Sequence, residues 1–435
     1  MIQYIRIVNK HEVYDMFFKE FPLPSDPIIP SLAVSVRDFG ASENEICTAA
    51  IAKAIAKVSA QGGGRVVIPA GNWKCGPIHL ESNVELHFEK GAHVSFVTDP
   101  EAYLPVVFTV YEGIRCYNYS PLIYARGKEN VAVTGEGILD GGGLEWWKWA
   151  KNLTGRDILY SGALPLERRI LGTPELGLRP IFLQIIECKN VLIEGITLKN
   201  SPCWTVHPIW CEDVIVRGVT VENPTVSPNT DAVNIESCNR ALVEDCTVVT
   251  TGDDMFCIKA GRNEDAWEVG IPCENVVIRN CRSLGESQSG GIVIGSEMSA
   301  GVNNILAYGC HVAHTINCVR LKAKDGRGGV VSNVTVRDMY MERGMRGINL
   351  SYRYSCEAND AAREPGKYMP RFEHLSFENI VCDDVETGIS IDGVPGGVMS
   401  DIHFKDIKMN AAKCLSADSI DGLFMDNVRL TEKGN

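Results

Sequence analysis

The stretch Asn190-Val191-Leu192-Ile193 is one copy of a pattern that recurs along most of the chain, in which Asn, Asp or His precedes a short, mainly apolar run. Copies begin 23 (213 − 190), 29 (304 − 275), 29 (333 − 304) and 27 (401 − 374) residues apart, inside the roughly 20–50-residue range of solenoid repeats. The copies begin at Asn130, Asn190, Asp213, Asn275, Asn304, Asn333, His374 and Asp401. This period indicates one supersecondary unit repeated along an axis.

The residues inside each copy distinguish between repeat architectures. A leucine-rich repeat needs a Leu-x-x-Leu-x-Leu signature, and a propeller blade needs roughly 40 or more residues, and the chain fits neither pattern. In a parallel β-helix each strand stacks on its equivalent in the next coil, which buries aliphatic ladders and leaves rows of side chains outside. We therefore predict an all-β solenoid of this kind, with about ten coils.

One segment has a different periodicity. Between Ile46 and Ala60 apolar residues recur at helical spacing, and three glycines follow at 62–64. A helix here would cover the open N-terminal end of the apolar stack, as solenoids require. We predict a catalytic β-helix domain over residues 33–435, capped by this short helix, with residues 1–32 as an N-terminal extension.

The composition argues against several classes of partner. The 435 residues are 45% hydrophobic and 22% charged, and no run of 18 uninterrupted apolar residues occurs, so we expect a large core and no membrane partner. With 42 basic and 55 acidic residues the net charge is −13, which would repel a phosphate backbone. Nucleic acid is therefore not an expected partner either.

The cysteines and the first residues bear on the compartment. The 16 cysteines are scattered, without a Cys-x-x-Cys motif or a cluster at zinc spacing, which favours buried free thiols. Charged residues at Arg6, Lys10 and Glu12 leave no apolar core suited to a secretory signal. The sequence as it stands favours a cytoplasmic location, whereas a leader removed before residue 1 would mean secretion.

Acidic residues in the middle of the chain follow the period of the repeat. Asp231 lies in Asn229-Thr230-Asp231, and Asp253 and Asp254 come 22 residues (253 − 231) later, which is about one coil. Strands in adjacent coils lie about 4.8 Å apart, so the three carboxylates are expected to cluster. Each short motif alone is typical of a turn, but turn chemistry does not require them to fall on successive coils.

Two basic residues complete the pattern, because Arg320 and Lys322 share one face of a predicted strand. Hydrolysis of an acidic sugar polymer needs a carboxyl group to protonate the leaving oxygen, a carboxylate to activate water, and cations to bind uronate carboxylates. Crowding three acids raises the pKa of at least one, which supplies the acid. The pattern therefore predicts a glycosidase site for an anionic sugar.

Taken together, these motifs resemble glycoside hydrolase family 28, the polygalacturonases, within the pectin-lyase-like superfamily. The resemblance covers roughly residues 33–430 and implies a single-stranded right-handed parallel β-helix. It is carried by Asn229-Thr230-Asp231, Gly252-Asp253-Asp254 and Arg320-Leu321-Lys322, with further matches in Asp38-Phe39-Gly40-Ala41 and Asn200-Ser201-Pro202-Cys203-Trp204.

The resemblance implies an inverting mechanism in which Asp253 is the general acid and Asp231 and Asp254 share the activation of water. It implies no metal and no organic cofactor. The residues expected to bind substrate through these motifs are Asn229, Arg320 and Lys322.

One position departs from the family pattern. Where the family has Gly-His-Gly, the chain has Gln288-Ser289-Gly290, so Ser289 stands in place of a histidine that lies near the acid. A hydroxyl cannot carry the positive charge of an imidazolium, which predicts a changed acid environment or a changed substrate. Ser289, and His207 on an earlier coil, are further candidates for substrate contact.

We predict a glycoside hydrolase that cleaves α-linked galacturonide-containing pectic oligosaccharides, so that its partner is an acidic oligosaccharide. Action from a chain end is expected because residues 148–180 lack the repeat and are predicted to form an inserted loop over the groove. Two alternatives stay open: a carbohydrate-binding β-helix with little or no activity, and a pectate-lyase-type enzyme, commonly calcium-dependent. The sequence does not indicate the oligomeric state.

Overall fold

The chain coils into three stacks of parallel strands, in which each strand pairs with its equivalents on the coils before and after it. The computed structural model describes residues 21–162, 164–355 and 363–433. The coil is a right-handed, single-stranded parallel β-helix, as predicted, and its parallel strands form one continuous 29-stranded sheet.

We call the three stacks the first, second and third sheets, in the order in which each coil passes through them. The first sheet contains Ala33–Ser35, Gly64–Ile68, Val84–Phe88, Glu129–Gly135, Lys189–Glu194, Glu212–Arg217, Asn239–Glu244, Cys273–Arg279, Val302–Tyr308 and Asp421–Asp426. The second contains Gly71–Cys75, Ala92–Phe96, Ile138–Asp140, Thr197–Lys199, Thr220–Glu222, Thr247–Thr250, Arg282–Ser283 and Arg429–Glu432. The third contains Ile78–His79, Ile123–Arg126, Leu183–Ile186, Val206–Ile209, Val233–Glu236, Phe256–Lys259 and Glu286–Gly295. Longer strands that continue from one sheet into the next are His311–Lys322, Val330–Ser351, Arg371–Asp392 and Val398–Asp418.

The recurring Asn or Asp occupies a backbone conformation that few residues adopt. Asn130, Asn190 and Asp213 have φ of 53°, 54° and 59°, in the left-handed region that Asn and Asp tolerate better than other side chains. The side chains also bond across coils, since Asn190 Nδ2 donates to Asn130 Oδ1 at 3.0 Å. The repeat therefore marks the bend at which each coil enters the first sheet.

The core is a set of ladders of aliphatic and aromatic side chains inside the coil. In the ladder of the first sheet, each side chain stacks on its register partner, and all are at most 1% exposed. Its members are Val66, Leu86, Val133, Ile193, Val216, Val243, Ile278, Ala307, Val336, Phe377 and Phe404. Because every coil adds one rung, the apolar core is continuous along the domain.

The predicted capping helix is confirmed. It spans Thr48–Ala60 and buries Ile51, Ala54, Ile55 and Val58 against the first coil. Residues 21–32 form no helix or strand and lie along the outer face of the first sheet, where the Asp26 carboxylate pairs with Arg217 at 3.1 Å. Residues 1–20 of the predicted extension lie outside the described residues, so the boundary at residue 32 stays a prediction.

The other helices lie in the turns around the third sheet: α-helices at Gly143–Ala150, Gly155–Tyr160 and Asn263–Val269, and 3₁₀ turns at Pro100–Tyr103 and Leu166–Arg168. A further 3₁₀ turn, Val36–Phe39, precedes the cap. The cysteines that the structure describes are free thiols, and all but Cys414 are buried, in agreement with their interpretation from the sequence. Within the same ranges no helix combines the length and apolar character needed to cross a membrane.

Candidate active site

The three predicted acids lie where two neighbouring coils enter the third sheet. Asp231 comes just before the strand Val233–Glu236, and Asp253 and Asp254 come just before Phe256–Lys259. The two strands are paired in register. The clustering expected from the repeat period is therefore present, because equivalent positions on successive coils are brought side by side.

Ser289 and the two predicted basic residues lie on the next coils. Ser289 lies in Glu286–Gly295, and Arg320 and Lys322 lie in His311–Lys322, which pairs with it so that Gly295 stands beside Lys322. Lys322 Nζ reaches back across these coils and lies 2.7 Å from Asp254 Oδ2, and both side chains are almost fully buried. Among the described residues Asp254 Oδ1 has no hydrogen-bond partner, although the atom is buried.

The sequence patterns did not identify Lys259, a second buried cation of the site. Its Nζ lies 3.4 Å from Asp231 Oδ2, 2.8 Å from Glu297 Oε2 and 4.5 Å from the centroid of the Trp204 ring. Phe256 and Ile258 point into the core, so the alternation of the strand places Lys259 outside. The alternation could have identified Lys259 as an outward-facing residue. Only the tertiary structure shows which carboxylates its ammonium group contacts.

Burial and charge separate the three carboxylates by proton affinity. Burial, and then the charge of Asp254, raises the pKa of Asp253 to about 6. Burial, and then the charge of Asp253, raises the pKa of Asp231 well above its usual range, against the opposing effect of Lys259. Burial would also raise the pKa of Asp254, but Lys322 and Lys259 outweigh it, so this pKa is lowered. The site thus combines an ionised Asp254 with carboxyl groups that keep their protons to higher pH.

Arg320 and Lys322 share an aromatic neighbour. The Arg320 guanidinium lies 5.6 Å and Lys322 Nζ 5.1 Å from the centroid of the Tyr354 ring. Arg320 is half-buried, and its Nε has no hydrogen-bond partner among the described residues. Since Lys322 is already paired with Asp254, Arg320 is the member of the pair best placed to bind an anion.

Ser289 lies beside the acids. Asn317 Nδ2 donates to the Ser289 carbonyl at 3.0 Å, and the hydroxyl of the nearby Ser287 donates to the Asp253 carbonyl at 2.7 Å. The strand that carries Ser289 is therefore tied directly to the loop that carries Asp253.

Asn229 lies on the wall of the site and is held by Arg179, a buried residue that the sequence patterns did not identify. Arg179 Nη2 donates to Asn229 Oδ1 at 2.8 Å, and Nη1 donates to the main-chain carbonyl of Pro202 at 2.8 Å. The arginine thereby joins the predicted insertion to the turn that carries Asp231.

The structure places His207 away from the open groove. Its side chain is fully buried, with Gln184 Nε2 3.0 Å from Nδ1 and Glu236 Oε2 2.7 Å from Nε2. Its ring packs edge-on against Trp204, with 4.8 Å between centroids. His207 thus supports the wall of the site beneath Trp204, and its position does not favour the predicted substrate contact.

A β-hairpin crosses the outer face of the third sheet on the N-terminal side of the acids. Its antiparallel strands are Val107–Tyr111 and Ile114–Asn118. At one edge, Gln184 Nε2 on the third sheet donates to the Val110 carbonyl at 2.7 Å. At the other edge, Arg115 Nε lies 3.3 Å from Asp265 Oδ2 in the helix Asn263–Val269. The groove over the third sheet is therefore closed towards the N-terminal coils.

The segment 148–180 is folded and braces this hairpin. It contains the helix Gly155–Tyr160, and apolar residues from it pack with Tyr111 and Ile114 of the hairpin. Arg169 Nη1 lies 2.7 Å from Asp265 Oδ1, the same carboxylate that Arg115 contacts. The insertion thus affects the groove indirectly, because it packs against the hairpin.

Asp231, Asp254 and Cys257 bring possible metal ligands within 4.8 Å of one another. Burial, with the charges of Asp254 and Asp231, raises the pKa of Cys257 well above its usual range, so its thiol is protonated and a weak ligand. Two ammonium groups already lie against the carboxylates. This arrangement suits proton transfer and water better than it suits a divalent cation.

Known proteins are similar to this chain in fold and in sequence. The chain is 35% identical to a hyperthermoactive exopolygalacturonase from Thermotoga maritima, with a TM-score of 0.86 and coverage of 94% of both chains. It is 27% identical to a probable polygalacturonase from Vitis vinifera, over 82% of this chain and 69% of the relative. It is 22% identical to an exo-poly-alpha-D-galacturonosidase from Dickeya chrysanthemi, over 81% of this chain and 62% of the relative. The model of the glycosyl hydrolases family 28 matches residues 173–421, which is 249 (421 − 173 + 1) of 435 residues. Because this match includes more than half of the chain and all the predicted site residues, the chain belongs to glycosyl hydrolase family 28.

Proposed function

We propose that this family 28 enzyme hydrolyses α-linked galacturonide bonds in pectic oligosaccharides, with inversion, from the end of the sugar chain. The observation that carries the proposal is the cluster of three buried carboxylates, one of them with its pKa raised to about 6, beside Arg320 and Lys322. Proton donation and activation of water by carboxyl groups at one site are the two requirements of glycoside hydrolysis.

The geometry supports a role for each acid. Asp253 keeps its proton in mildly acidic solution and donates it to the leaving glycosidic oxygen. Asp254 is held ionised by Lys322, and its Oδ1 accepts a proton from the attacking water. Asp231, whose pKa is raised well above its usual range, shares this role only in its ionised form. Arg320, with Asn229 in the turn that carries Asp231, orients the uronate at the scissile bond.

Action from a chain end is supported by the hairpin 107–118. It lies across the groove, so a sugar chain can extend only towards the C-terminal coils. The relatives from Thermotoga maritima and Dickeya chrysanthemi, both named as exo-acting enzymes, are consistent with this proposal.

The experiment is incubation with galacturonan, rhamnogalacturonan and xylogalacturonan oligomers, with product sizes followed over time. We expect release of one small product of constant size from galacturonan from the first time point. A ladder of intermediate products would contradict end-on action. Products that absorb as unsaturated sugars would indicate elimination and would contradict hydrolysis, while binding without new reducing ends would indicate a binding protein.

We expect Ser289→His to give no gain on unsubstituted oligogalacturonate. Lys259 and Lys322 already place two ammonium groups at the carboxylates, so an imidazolium beside them would lower the pKa of Asp253 from about 6. A lower pKa of the acid shifts the alkaline limb of the kcat/KM profile to lower pH, by up to about one unit. Ser289→Thr, which adds no charge, is the control. A gain of about tenfold or more with histidine would instead indicate a decayed site.

A further inference from the structure

A cavity of about 580 Å³ opens where the long strands pass from the second sheet into the third. Its lining includes Ser287, His314, Arg343 and Arg346. Ser287 joins it to the active site, because its hydroxyl donates to the Asp253 carbonyl at 2.7 Å. The cavity therefore begins at the catalytic loop and extends towards the C-terminal coils.

The register of the strands gives the position of the two arginines. Glu286 pairs with His314, which pairs with Arg343, and Gly290 pairs with Asn317, which pairs with Arg346. Arg343 and Arg346 are thus one coil beyond the coil that carries Arg320 and Lys322, a step of about 4.8 Å along the axis. They lie on the side of the site that the hairpin leaves open.

The arginines form no ion pair within the described residues, although the cavity also contains carboxylates. Asp384, the register partner of Arg343 on the next coil, is paired with Lys433, and so is Glu386. Glu286 accepts a hydrogen bond from Gln288 Nε2 at 2.9 Å. Arg343 is exposed and Arg346 half-buried, so two guanidinium groups remain available to an anion from solution.

We propose that this cavity is a second uronate-binding site, in which Arg343 and Arg346 bind the carboxylate of a sugar on the leaving-group side of the cleaved bond. The inference rests on the proposed function, since it assumes that a uronate chain passes from Arg320 towards the C-terminal coils. A guanidinium fork binds a planar carboxylate through two parallel hydrogen bonds, which a neutral sugar or a methyl ester cannot accept in the same way.

The test is kcat/KM of the Arg343→Ala, Arg346→Ala double variant on a series of oligogalacturonates that increase by one unit. We expect the shortest cleaved oligomer to react as with wild type, and longer ones to lose about 10- to 100-fold, the effect of lost charged hydrogen bonds. Arg371→Ala is the matched control, because Arg371 is an exposed arginine of the first sheet paired with Glu373, and it should leave the whole series unchanged.

Three results would overturn the site: an equal loss on every oligomer, no loss on the longer ones, or the same loss on methyl-esterified oligomers. If wild type itself releases no product from any galacturonate, the proposed function fails. In that case calorimetric titration of wild type and the double variant with the same oligomers decides the binding site separately. Weaker binding only of longer oligomers to the double variant would support the site, and identical binding would overturn it.

Discussion

Asp253→Asn is expected to lower kcat on oligogalacturonate by about 10²–10⁴-fold, the usual contribution of a positioned general acid. Burial and the charge of Asp254 raise the pKa of Asp253 to about 6, so the wild-type side chain carries a proton that the amide cannot donate. Asparagine has nearly the same shape, so the melting temperature should change little. Release of reducing ends at saturating substrate measures the effect, with Asp421→Asn at an exposed site of the last coil as the control.

The pH profile tests the same assignment. Since the pKa of Asp253 is raised, its protonated form persists to higher pH than that of an ordinary aspartate, and wild-type kcat/KM should fall as pH rises through about 6. This alkaline limb should be absent from the residual activity of Asp253→Asn. If Asp253→Asn kept both full turnover and the alkaline limb of the pH profile, a group other than Asp253 would be the general acid.

Lys259→Met is expected to lower the free energy of unfolding by about 3–5 kcal/mol, the usual effect of removing one partner of a buried ion pair. The change leaves Asp231 and Glu297 buried without the ammonium group that lies 3.4 Å and 2.8 Å from them. Methionine preserves most of the volume, so lost packing contributes little. Urea denaturation measures the effect, and Lys199→Met, which breaks the partly exposed pair with Glu222, should cost less than about 1 kcal/mol.

The double variant Lys259→Met, Glu297→Gln separates charge from packing. If the loss of stability in Lys259→Met comes from the uncompensated charge of the Glu297 carboxylate, neutralising Glu297 should restore part of the free energy of unfolding. No recovery would mean that methionine fits the site poorly. A single Lys259→Met variant as stable as wild type would show that the buried cation does not stabilise the fold.

The repeat period and its leading Asn or Asp allowed the fold to be predicted from the sequence. The left-handed backbone conformation depends on local sequence, because Asn and Asp tolerate it better than other side chains. Asn190 and Asp213 therefore indicate these positions without knowledge of their tertiary contacts. A fixed period then brings equivalent positions together on adjacent coils. For this reason the cluster of Asp231, Asp253 and Asp254 could also be predicted without a structure.

The tertiary structure alone decided which groups face those acids. Lys259 meets Glu297 across 38 residues of sequence, and Gln184 on the third sheet holds the hairpin through Val110, 74 residues away. His207, a candidate from the sequence, proved to be buried beneath Trp204. Such contacts depend on the path of irregular turns, which follow no period and leave no repeated pattern. The sequence by itself therefore determined the scaffold and the order of the acids along it, whereas folding of the turns decided the buried cations and the closed end of the groove.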